Sequence, residues 1–517
     1  MTAGDEAAAR RVYDEATWTA AKAYMDTYGT VRHQRESFDW FMREMIPAIC
    51  TENSDVWSTH SSGTLRHCIR YDKVRVVRPS IKEQDGFERS ITPMQARLRG
   101  LTYSSNVVIS AVHDVIRNDS NGEPKIIQRT EYNNILLARV PTMVNSSFCH
   151  LRIGNGRKME NPFDQGGMFI VNGIEKSLCA QMKLRTNMAF VFEGKKVSGV
   201  SNFVCEVRSC HETKMRSTST LYMTAAKTAA TTEFLVHLPF IELQIPVVHI
   251  FRLLGFDPTE MQALIRDEST TDRDFERLLE QLTESHRVLR SDATFDEIVD
   301  WLGREGTKEH TRDRKLKYVT HIVTSELLPH VGLDTGSETQ RRKAEFLAHM
   351  VRRLATVFLG RQAPDDRDHA KCRRVDTSGM LLSLLFRQLF RNYLKTVTVA
   401  LHRLVESNKL ERTNLGDVLS DKKITAGLKY ALSTGNWGIM KTAQSQTGVA
   451  QMLSRMTSVS ATASLRRVNT PINRDGKAAK PRQLHPSTYG VLCPCETPEG
   501  AACGLVTNLT LLAHVRG

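Results

Sequence analysis

The spacing of apolar and polar positions changes several times along this chain. Residues 8–50 carry apolar side chains at helical spacing, which predicts helices. Residues 68–215 contain short β-rich runs separated by Asn, Gly, Pro and Ser, and this pattern predicts strands and turns. Residues 233–255 begin in the same β-like manner. The first half of the chain is therefore predicted to combine helices with a strand-rich region.

The second half is predicted to be mainly helical before the pattern changes again. Residues 257–305 are charged and helical in pattern, and Asp257 and Thr294 begin segments that resemble helix starts. Two long helices are predicted at 338–359 and 376–406. The second helix carries an apolar stripe that we interpret as its core face, formed by Met380, Leu381, Leu384, Leu385, Leu389, Tyr393 and Leu394. The last 80 residues return to Gly, Thr, Ser and basic residues. The whole pattern predicts an α+β protein of several domains.

Composition narrows the class of protein. The 517 residues are 40% hydrophobic and 25% charged, which is ordinary for soluble globular domains. No apolar run reaches the roughly 18 residues of a membrane helix, and the N-terminus lacks an apolar signal segment, so neither a membrane protein nor secretion is expected. The 10 scattered cysteines suit reduced thiols in an intracellular compartment. A net charge of +14 favours a polyanionic partner.

Residues 469–500 concentrate the candidate chemistry, and three interpretations compete there. A zinc site at Cys493 and Cys495 is disfavoured, because a structural zinc site needs four ligands and only Cys503, His485 and His514 lie nearby in sequence. Buried thiols are the simpler interpretation of the cysteines.

An acid–base pair formed by Glu496 and Glu499 is the second interpretation. Pro498 and Gly500 favour a turn over a helix, and no nucleophile–base pair lies nearby in the sequence. A structural role for the two carboxylates, as hydrogen-bond acceptors, is therefore preferred.

A basic loop is the third interpretation and fits best. Arg474, Lys477, Lys480 and Arg482 surround a predicted tip at Asp475-Gly476. Residues 437–517 contain nine Lys and Arg against three Asp and Glu, a net charge of +6. Guanidinium groups suit phosphates, so nucleic acid is favoured, with a solvated basic face as the alternative.

Two further segments invite a chemical interpretation. In PDDRDHAKCRR, Asp365, Asp366 and Asp368 suggest a divalent metal, but the adjacent basic residues favour ion pairs with arginine. GGMFIVNGIEK, at 166–176, lacks the spacing of a phosphate-binding loop and is predicted to be a strand with glycine turns at both ends.

Six segments together resemble one protein family. They are PMQARLRGLTYSS, GGMFIVNGIEK, PDDRDHAKCRR, GLKYALSTGNWG, LRRVNTPINRDGKAAKPRQLHP and CPCETPEGAACGLVTNL. In this order they resemble the second-largest subunit of multisubunit DNA-dependent RNA polymerases, in its archaeal and eukaryotic form. The resemblance covers roughly residues 30–517, and the last two segments are highly specific.

The resemblance implies an architecture and a set of sites. Residues 1–200 would hold N-terminal helices and the first part of the protrusion, 201–335 the lobe, 336–436 the second part of the protrusion, and 437–517 the fork. The positions expected near DNA, the RNA–DNA hybrid or the incoming triphosphate are Arg466, Arg467, Arg474, Lys477, Lys480, Arg482 and Gln483. Glu496 and Glu499 would order the active centre. The resemblance places the catalytic Mg²⁺ on aspartates of the largest subunit, so neither a catalytic residue nor a metal ligand is expected on this chain.

The resemblance also implies partners. The family subunit continues beyond the fork, so we expect a separate C-terminal half, the largest subunit, other polymerase subunits, template DNA and nascent RNA. The source would be archaeal or viral, and the location an archaeal cytoplasm, a virion or a host cell. The alternatives are a stand-alone basic nucleic-acid-binding protein and a polymerase decoy derived from such a subunit.

Apolar residues near the C-terminus prompt a related expectation. Six of them lie in the last 13 residues and predict a buried strand or strand pair, which we expect the separate half to cover: Leu505, Val506, Leu509, Leu511, Leu512 and Val515.

Overall fold

The fold divides into two compact units. Unit 1 combines Met1–Lys183 with Arg374–Gly517, and unit 2 is Leu184–Arg373. The computed structural model describes residues 3–52, 55–59, 65–118, 124–154, 157–194, 203–211, 219–227, 232–266, 272–283, 289–290, 293–307, 311–407, 414–419, 422–438, 446–474, 476 and 478–515. No helix among these residues is long and apolar enough to cross a membrane.

The N-terminal part of unit 1 contains the predicted helices and then the predicted strands. The helices are α1 (Ala3–Tyr28), α2 (Arg32–Trp40), a π-helical turn (Phe41–Met45) and α3 (Ile46–Glu52). The following elements are β1 (Asp55–Thr59), β2 (Leu65–Val77), β3 (Ser80–Lys82), β4 (Glu88–Ser90), α4 (Pro93–Leu98), β5 (Ser104–Asn118), β6 (Pro124–Pro141), β7 (Phe169–Val171), β8 (Ile174–Leu178) and β9 (Ala180–Leu184). The prediction of helices followed by strands is confirmed.

Unit 2 pairs a sheet with a helical layer. Its elements are β10 (Ala189–Glu193), β11 (Phe203–Ser209), β12 (Ser219–Lys227), β13 (Thr232–His237), β14 (Gln244–Pro246), α5 (Val247–Leu253), α6 (Pro258–Ile265), α7 (Arg273–Thr283), α8 (Phe295–Glu305), α9 (Arg312–His321) and α10 (Ser337–Phe358). The five strands form an antiparallel sheet in sequence order. Asp257 and Thr294 form capping boxes with Glu260 and Glu297, so both predicted helix starts are confirmed.

The C-terminal part of the chain returns to unit 1. Its elements are β15 (Arg373–Asp376), α11 (Ser378–Glu406), α12 (Leu415–Leu419), α13 (Lys423–Thr434), β16 (Ala450–Met452), α14 (Ser458–Leu465), β17 (Arg467–Asn469) and β18 (Val506–Asn508). Both predicted long helices are confirmed, as α10 and α11. The division into protrusion, lobe and fork stays a prediction.

The predicted core face of α11 is correct only in part. Leu381, Leu385 and Tyr393 are buried, but Leu384 is 38% exposed. The buried face instead follows Leu381, Leu382, Leu385, Phe386, Phe390, Tyr393, Val397, Leu401 and Val405. On this face Phe386 packs edge-on against Phe41, and Phe390 and Tyr393 pack against Tyr71 of β2, so aromatic contacts with other elements help to orient the helix. Leucine spacing alone did not distinguish the two sides.

The sheets of unit 1 are built mainly from antiparallel strand pairs. The largest sheet has the order β1-β2-β5-β6, and two smaller sheets have the orders β16-β8-β7 and β15-β9-β17-β18. Strand β17 is parallel to β9 and antiparallel to β18. The last strand of the chain therefore pairs on one side with a strand of the same chain.

The C-terminal apolar residues divide into two groups. Leu505, Val506 and Leu509 are buried, which confirms the predicted strand. Leu511 and Leu512 are 60% and 51% exposed. Strand β18 pairs with β17 on one side and lies at the edge of its sheet, so the expectation that a separate polypeptide covers this segment stays a prediction.

A buried histidine gives unit 2 a predicted dependence on pH. His249 is fully buried beside Trp301, and neither ring nitrogen has a hydrogen-bond partner among the described residues. Burial, helped by Arg252, lowers the pKa of His249 to about 4. The unfolded chain therefore binds more protons between pH 6.5 and 4, and stability falls as the pH falls through this range.

Replacement of His249 by leucine should flatten that dependence. Between pH 7 and 4.5 the free energy of unfolding of unit 2 should fall by about 2–3 kcal/mol less in His249→Leu than in the wild type. Amide hydrogen exchange of residues 247–253 at several pH values measures the difference. Parallel pH profiles for the two proteins would show that His249 does not titrate on unfolding.

Candidate nucleic-acid interface

A long loop between β17 and β18 holds most of the predicted site. The two strands pair with Arg467 opposite Asn508. The Thr470 amide donates to the Leu505 carbonyl at 2.8 Å, which closes the base of the loop. Everything between these residues, including the basic segment and the ETPEG turn, is thereby held at one edge of the sheet.

Arg482 fastens the two sides of this loop to each other. Its Nη2 donates to the Arg474 carbonyl at 2.7 Å. Its Nη1 donates to the Ala501 carbonyl at 2.8 Å and to the Cys503 carbonyl at 3.0 Å. Because a guanidinium group carries several donors in a fixed planar arrangement, one side chain can serve all three carbonyl groups. The basic segment and the turn after Glu499 are joined by this contact.

Gly504 allows the close approach that this contact requires. Its φ is +73°, and a Cβ at this position would lie 2.1 Å from the Arg482 carbonyl oxygen. The Gly504 amide donates to Thr497 Oγ1, which itself donates to the Val506 carbonyl, both at 2.9 Å. Any side chain at position 504 would push the two segments apart.

The predicted basic residues differ in their exposure. Arg474, Lys480 and Gln483 are exposed, whereas Arg482 is half-buried. Arg467 is also half-buried and donates to Gln451 Oε1 at 2.9 Å. Lys477, together with Asp475 at the predicted loop tip, lies outside the described residues.

Arg466 lies in the interior. It is 4% exposed, and its guanidinium donates to the backbone carbonyls of Thr30, Thr510, Leu511 and Ala513. No carboxylate of a described residue forms an ion pair with it. Arg466 therefore joins the segment after α1 to the C-terminal tail through hydrogen bonds, and we propose no phosphate contact for it.

The carboxylates and thiols of the loop lie near the surface. Glu496 and Glu499 are both exposed. Cys495 and Cys503 are exposed and Cys493 is half-buried, so the expectation of buried thiols is wrong for this segment. Across the described part of the chain, no three Asp, Glu, His or Cys side chains gather as metal ligands would.

The PDDRDHAKCRR segment forms the ion pairs expected of it. Asp365 accepts from Arg353 at 2.9 Å, and Asp368 pairs with Arg373. Arg367 lies over the ring of Phe192 at 3.8 Å and also pairs with Glu206 at 2.8 Å. The expected pairing with arginine is confirmed for Asp365 and Asp368.

The GGMFIVNGIEK segment contains the predicted strand, β7, with glycines of positive φ at both ends, and β7 continues through the second turn into a hairpin with β8. Strands β7 and β8 pair across a two-residue turn in which Asn172 and Gly173 both have positive φ. Glu175 accepts from Arg97 at 2.8 Å and from Arg455 at 2.7 Å. Burial alone would raise the pKa of Glu175, but the two guanidinium groups bring it below its usual value. Sequence analysis missed this network, because its members are 78 and 280 residues apart.

The basic surplus of the chain is confined to unit 1. Unit 1 contains 43 Lys and Arg against 29 Asp and Glu, a net charge of +14, whereas unit 2 contains 28 of each and is neutral. Residues 374–517 alone contain 19 basic residues against 8 acids, a net charge of +11. A polyanionic partner would thus be attracted to unit 1, which contains the loop described above.

Comparison with known proteins gives consistent matches. A family model described as RNA polymerase beta subunit matches residues 29–426, and one described as RNA polymerase Rpb2, domain 3, matches residues 451–515.

Named relatives cover nearly the whole chain. DNA-directed RNA polymerase II subunit 2 of Arabidopsis thaliana is 36% identical over 98% of this chain and 43% of its own length. Rpo2 of Sulfolobus acidocaldarius is 32% identical over 97% of this chain and 42% of its own length. Rpo2N of Methanococcus vannielii is 30% identical over 95% of this chain and 94% of its own length. The chain therefore spans less than half the length of the first two relatives and nearly all of the third.

Proposed function

The chain belongs to the RNA polymerase beta-subunit family, and from this premise we propose that it is the N-terminal part of the second-largest subunit of a DNA-dependent RNA polymerase. In the assembled enzyme it would form one side of the DNA cleft and the fork beside the active centre. The reaction would be nucleotidyl transfer during transcription. Similarity over 97–98% of the chain to polymerase subunits favours this function over a stand-alone nucleic-acid-binding protein or a decoy.

The Arg482 contact is the observation that carries the proposal. It holds Arg474 and Lys480 on an exposed loop, at the edge of a unit with a net charge of +14. Arg467, Arg474, Lys477 and Lys480 are proposed to contact phosphates of the DNA or the hybrid. Arg482 and Gln483 are proposed to face the RNA end or the incoming triphosphate, with Arg482 acting mainly by holding the loop in place.

The two glutamates are proposed to order the active centre. Glu496 and Glu499 flank Thr497, whose hydroxyl group bridges Gly504 and Val506. Mg²⁺, which supplies charge stabilisation at the attacking and leaving oxygens, is proposed to be held by the largest subunit. No group of three potential ligands lies among the described residues of this chain.

The proposed partners follow from the family. They are the largest subunit, the remaining part of the second-largest subunit, other polymerase subunits, template DNA and nascent RNA. The length of Rpo2N supports an arrangement in which the two parts are separate polypeptides. We further propose that 1–200 and 336–436 form the protrusion, 201–335 the lobe and 437–517 the fork, in an intracellular enzyme of archaeal or viral source.

Salt-dependent binding tests the phosphate contacts of the fork. The Arg474→Gln/Lys480→Gln variant should bind single-stranded DNA less tightly, and its plot of log affinity against log salt should be shallower by about 1.4–1.8, because each lost phosphate contact contributes about 0.7–0.9. Fluorescence anisotropy with the full chain between 50 and 200 mM salt measures this slope.

A matched control is available on α10. Arg341 and Arg342 are exposed but pair with Glu345 and Glu338, so Arg341→Gln/Arg342→Gln removes the same charge from cations that are already neutralised. This control should keep the wild-type slope. Equal slopes for the wild type and the fork variant would refute the phosphate contacts.

A further inference from the structure

The fork does not account for the whole positive charge of the C-terminal part. Residues 437–517 carry +6, whereas residues 374–436 contain ten Lys and Arg against five Asp and Glu and carry a further +5. Of these ten, Arg387 is buried and pairs with Glu52, so it is not available to a ligand. The remaining charge lies mainly on α11, α13 and their connection.

Helices α11 and α13 pack side by side and present one surface. Ile424 and Leu428 of α13 are buried, which turns the opposite side of that helix outward. Lys423 Nζ donates to Thr396 Oγ1 of α11 at 3.0 Å, so the exposed sides of the two helices are continuous.

Four exposed lysines, which we call the lysine face, occupy this surface: Lys395, Lys422, Lys423 and Lys429. Lys395, Lys422 and Lys429 pair with no carboxylate of a described residue. Helix α13 contains no acidic residue, and the one acid of α11, Glu406, is 11 residues from Lys395, roughly 16 Å along the helix. In the connection between the two helices Asp417 of α12 is exposed, and Asp421, which directly precedes Lys422 in the sequence, lies outside the described residues. In contrast, each of the two exposed arginines of α10, Arg341 and Arg342, pairs with a glutamate one turn away.

The spacing of the lysines along α13 suits a polyanion, in which negative charges repeat at regular distances. Lys422 and Lys429 are seven residues apart on the same side, which corresponds to roughly 10 Å. A nucleic-acid strand places a phosphate about every 3.4 Å along the helix axis, so the row would meet several phosphates at once.

The chemistry favours nucleic acid over an acidic protein. Lysine is depleted in protein–protein interfaces, which usually need an apolar centre. The exposed large apolar residues of these two helices are Leu384, Val399 and Tyr430, and only single apolar side chains neighbour the lysines: Val399 lies one turn after Lys395, and Tyr430 follows Lys429. Lysine ammonium groups act on phosphates as point charges and distinguish no base.

We propose that the lysine face binds the phosphate backbone of a nucleic acid without regard to base sequence, as a second surface in addition to the fork. It would hold the strand or duplex at a distance from the Arg474 loop and add to the total affinity. The surface is defined by different elements from those of the fork, so the two proposals can fail separately.

Charge removal on the full chain tests the proposal. Lys395→Gln/Lys422→Gln/Lys429→Gln should make the plot of log affinity against log salt shallower by about 2.7 for a fluorescein-labelled DNA duplex and by about 2.1 for a labelled single strand. All three side chains are exposed, so the thermal melting curve of the variant should match that of the wild type.

The matched control removes three charges from α9 of the neutral unit 2, as Arg314→Gln/Lys315→Gln/Lys317→Gln. Its slope should stay within about 0.5 of the wild type. An equal loss in both variants, or no loss in the lysine-face variant, would overturn the proposal. Combination with Arg474→Gln/Lys480→Gln should give additive losses, because the two surfaces are separate.

A competition experiment decides the class of ligand. Polyglutamate at the same concentration of negative charge should displace the labelled DNA from the wild-type chain poorly. Displacement equal to that by unlabelled DNA, lost in the lysine-face variant, would identify a site for acidic polypeptides and overturn the assignment to nucleic acid.

Discussion

Replacement of Arg466 by methionine is expected to lower the free energy of unfolding of unit 1 by about 3–5 kcal/mol. The buried guanidinium donates to four backbone carbonyls, those of Thr30, Thr510, Leu511 and Ala513. Methionine fills a similar length of space but donates no hydrogen bond, so all four carbonyl groups lose their donor. The C-terminal tail should detach first, because three of the four carbonyls belong to it.

The neighbouring arginine provides the control for this change. Arg467 is half-buried and its guanidinium donates a hydrogen bond to Gln451. Arg467→Met should therefore lower the free energy of unfolding by roughly 1 kcal/mol. Urea unfolding and amide exchange of residues 505–515 measure both effects. Equal stability of the two variants would show that the buried hydrogen bonds of Arg466 do not hold the tail.

The second large effect is expected in the assembled enzyme. Arg482→Ala should slow nucleotide addition about ten- to a hundred-fold, which corresponds to roughly 1.5–3 kcal/mol. The reason is positional, because without the guanidinium the carbonyls of Arg474, Ala501 and Cys503 lose their common donor and the basic loop separates from the turn that follows Glu499. Subunit assembly should be unchanged.

The Arg482→Lys variant distinguishes the positioning role of the Arg482 side chain from the effect of its charge. Arg482→Lys keeps the charge but has no planar set of donors for three carbonyls, so it should remain slower than the wild type. Arg89→Ala, which removes an exposed arginine paired with Asp85, should leave the rate unchanged. A normal rate of single-nucleotide addition in Arg482→Ala would remove Arg482 from the active centre.

Local features of the chain were predictable from the sequence. The capping residues Asp257 and Thr294 and the Asn172-Gly173 turn act within a few residues, so their patterns identify the helix starts and the hairpin. The pairing of Asp368 with Arg373 is equally local. These interactions depend on short stretches of backbone and are visible without any knowledge of the fold.

Features that depend on distant contacts were not predictable. Arg466 and Arg467 are adjacent and chemically identical, yet Arg466 is buried and Arg467 is half-buried, because Arg466 caps the C-terminal end of α14 whereas Arg467 begins β17. The buried face of α11 also depends on aromatic contacts of Phe386 and Phe390 with Phe41 and Tyr71, which lie far away in the sequence. The confinement of the positive charge to unit 1 became visible only once the unit boundaries were known.

The polypeptide composition of the native complex is the most direct test of the proposed function. Purification of the chain through an affinity tag from its natural source should yield the largest polymerase subunit and the remaining part of the second-largest subunit in equal amounts, with RNA synthesis that depends on a DNA template. Recovery of the chain alone, bound to nucleic acid but without those subunits or that activity, would contradict the assignment to a polymerase.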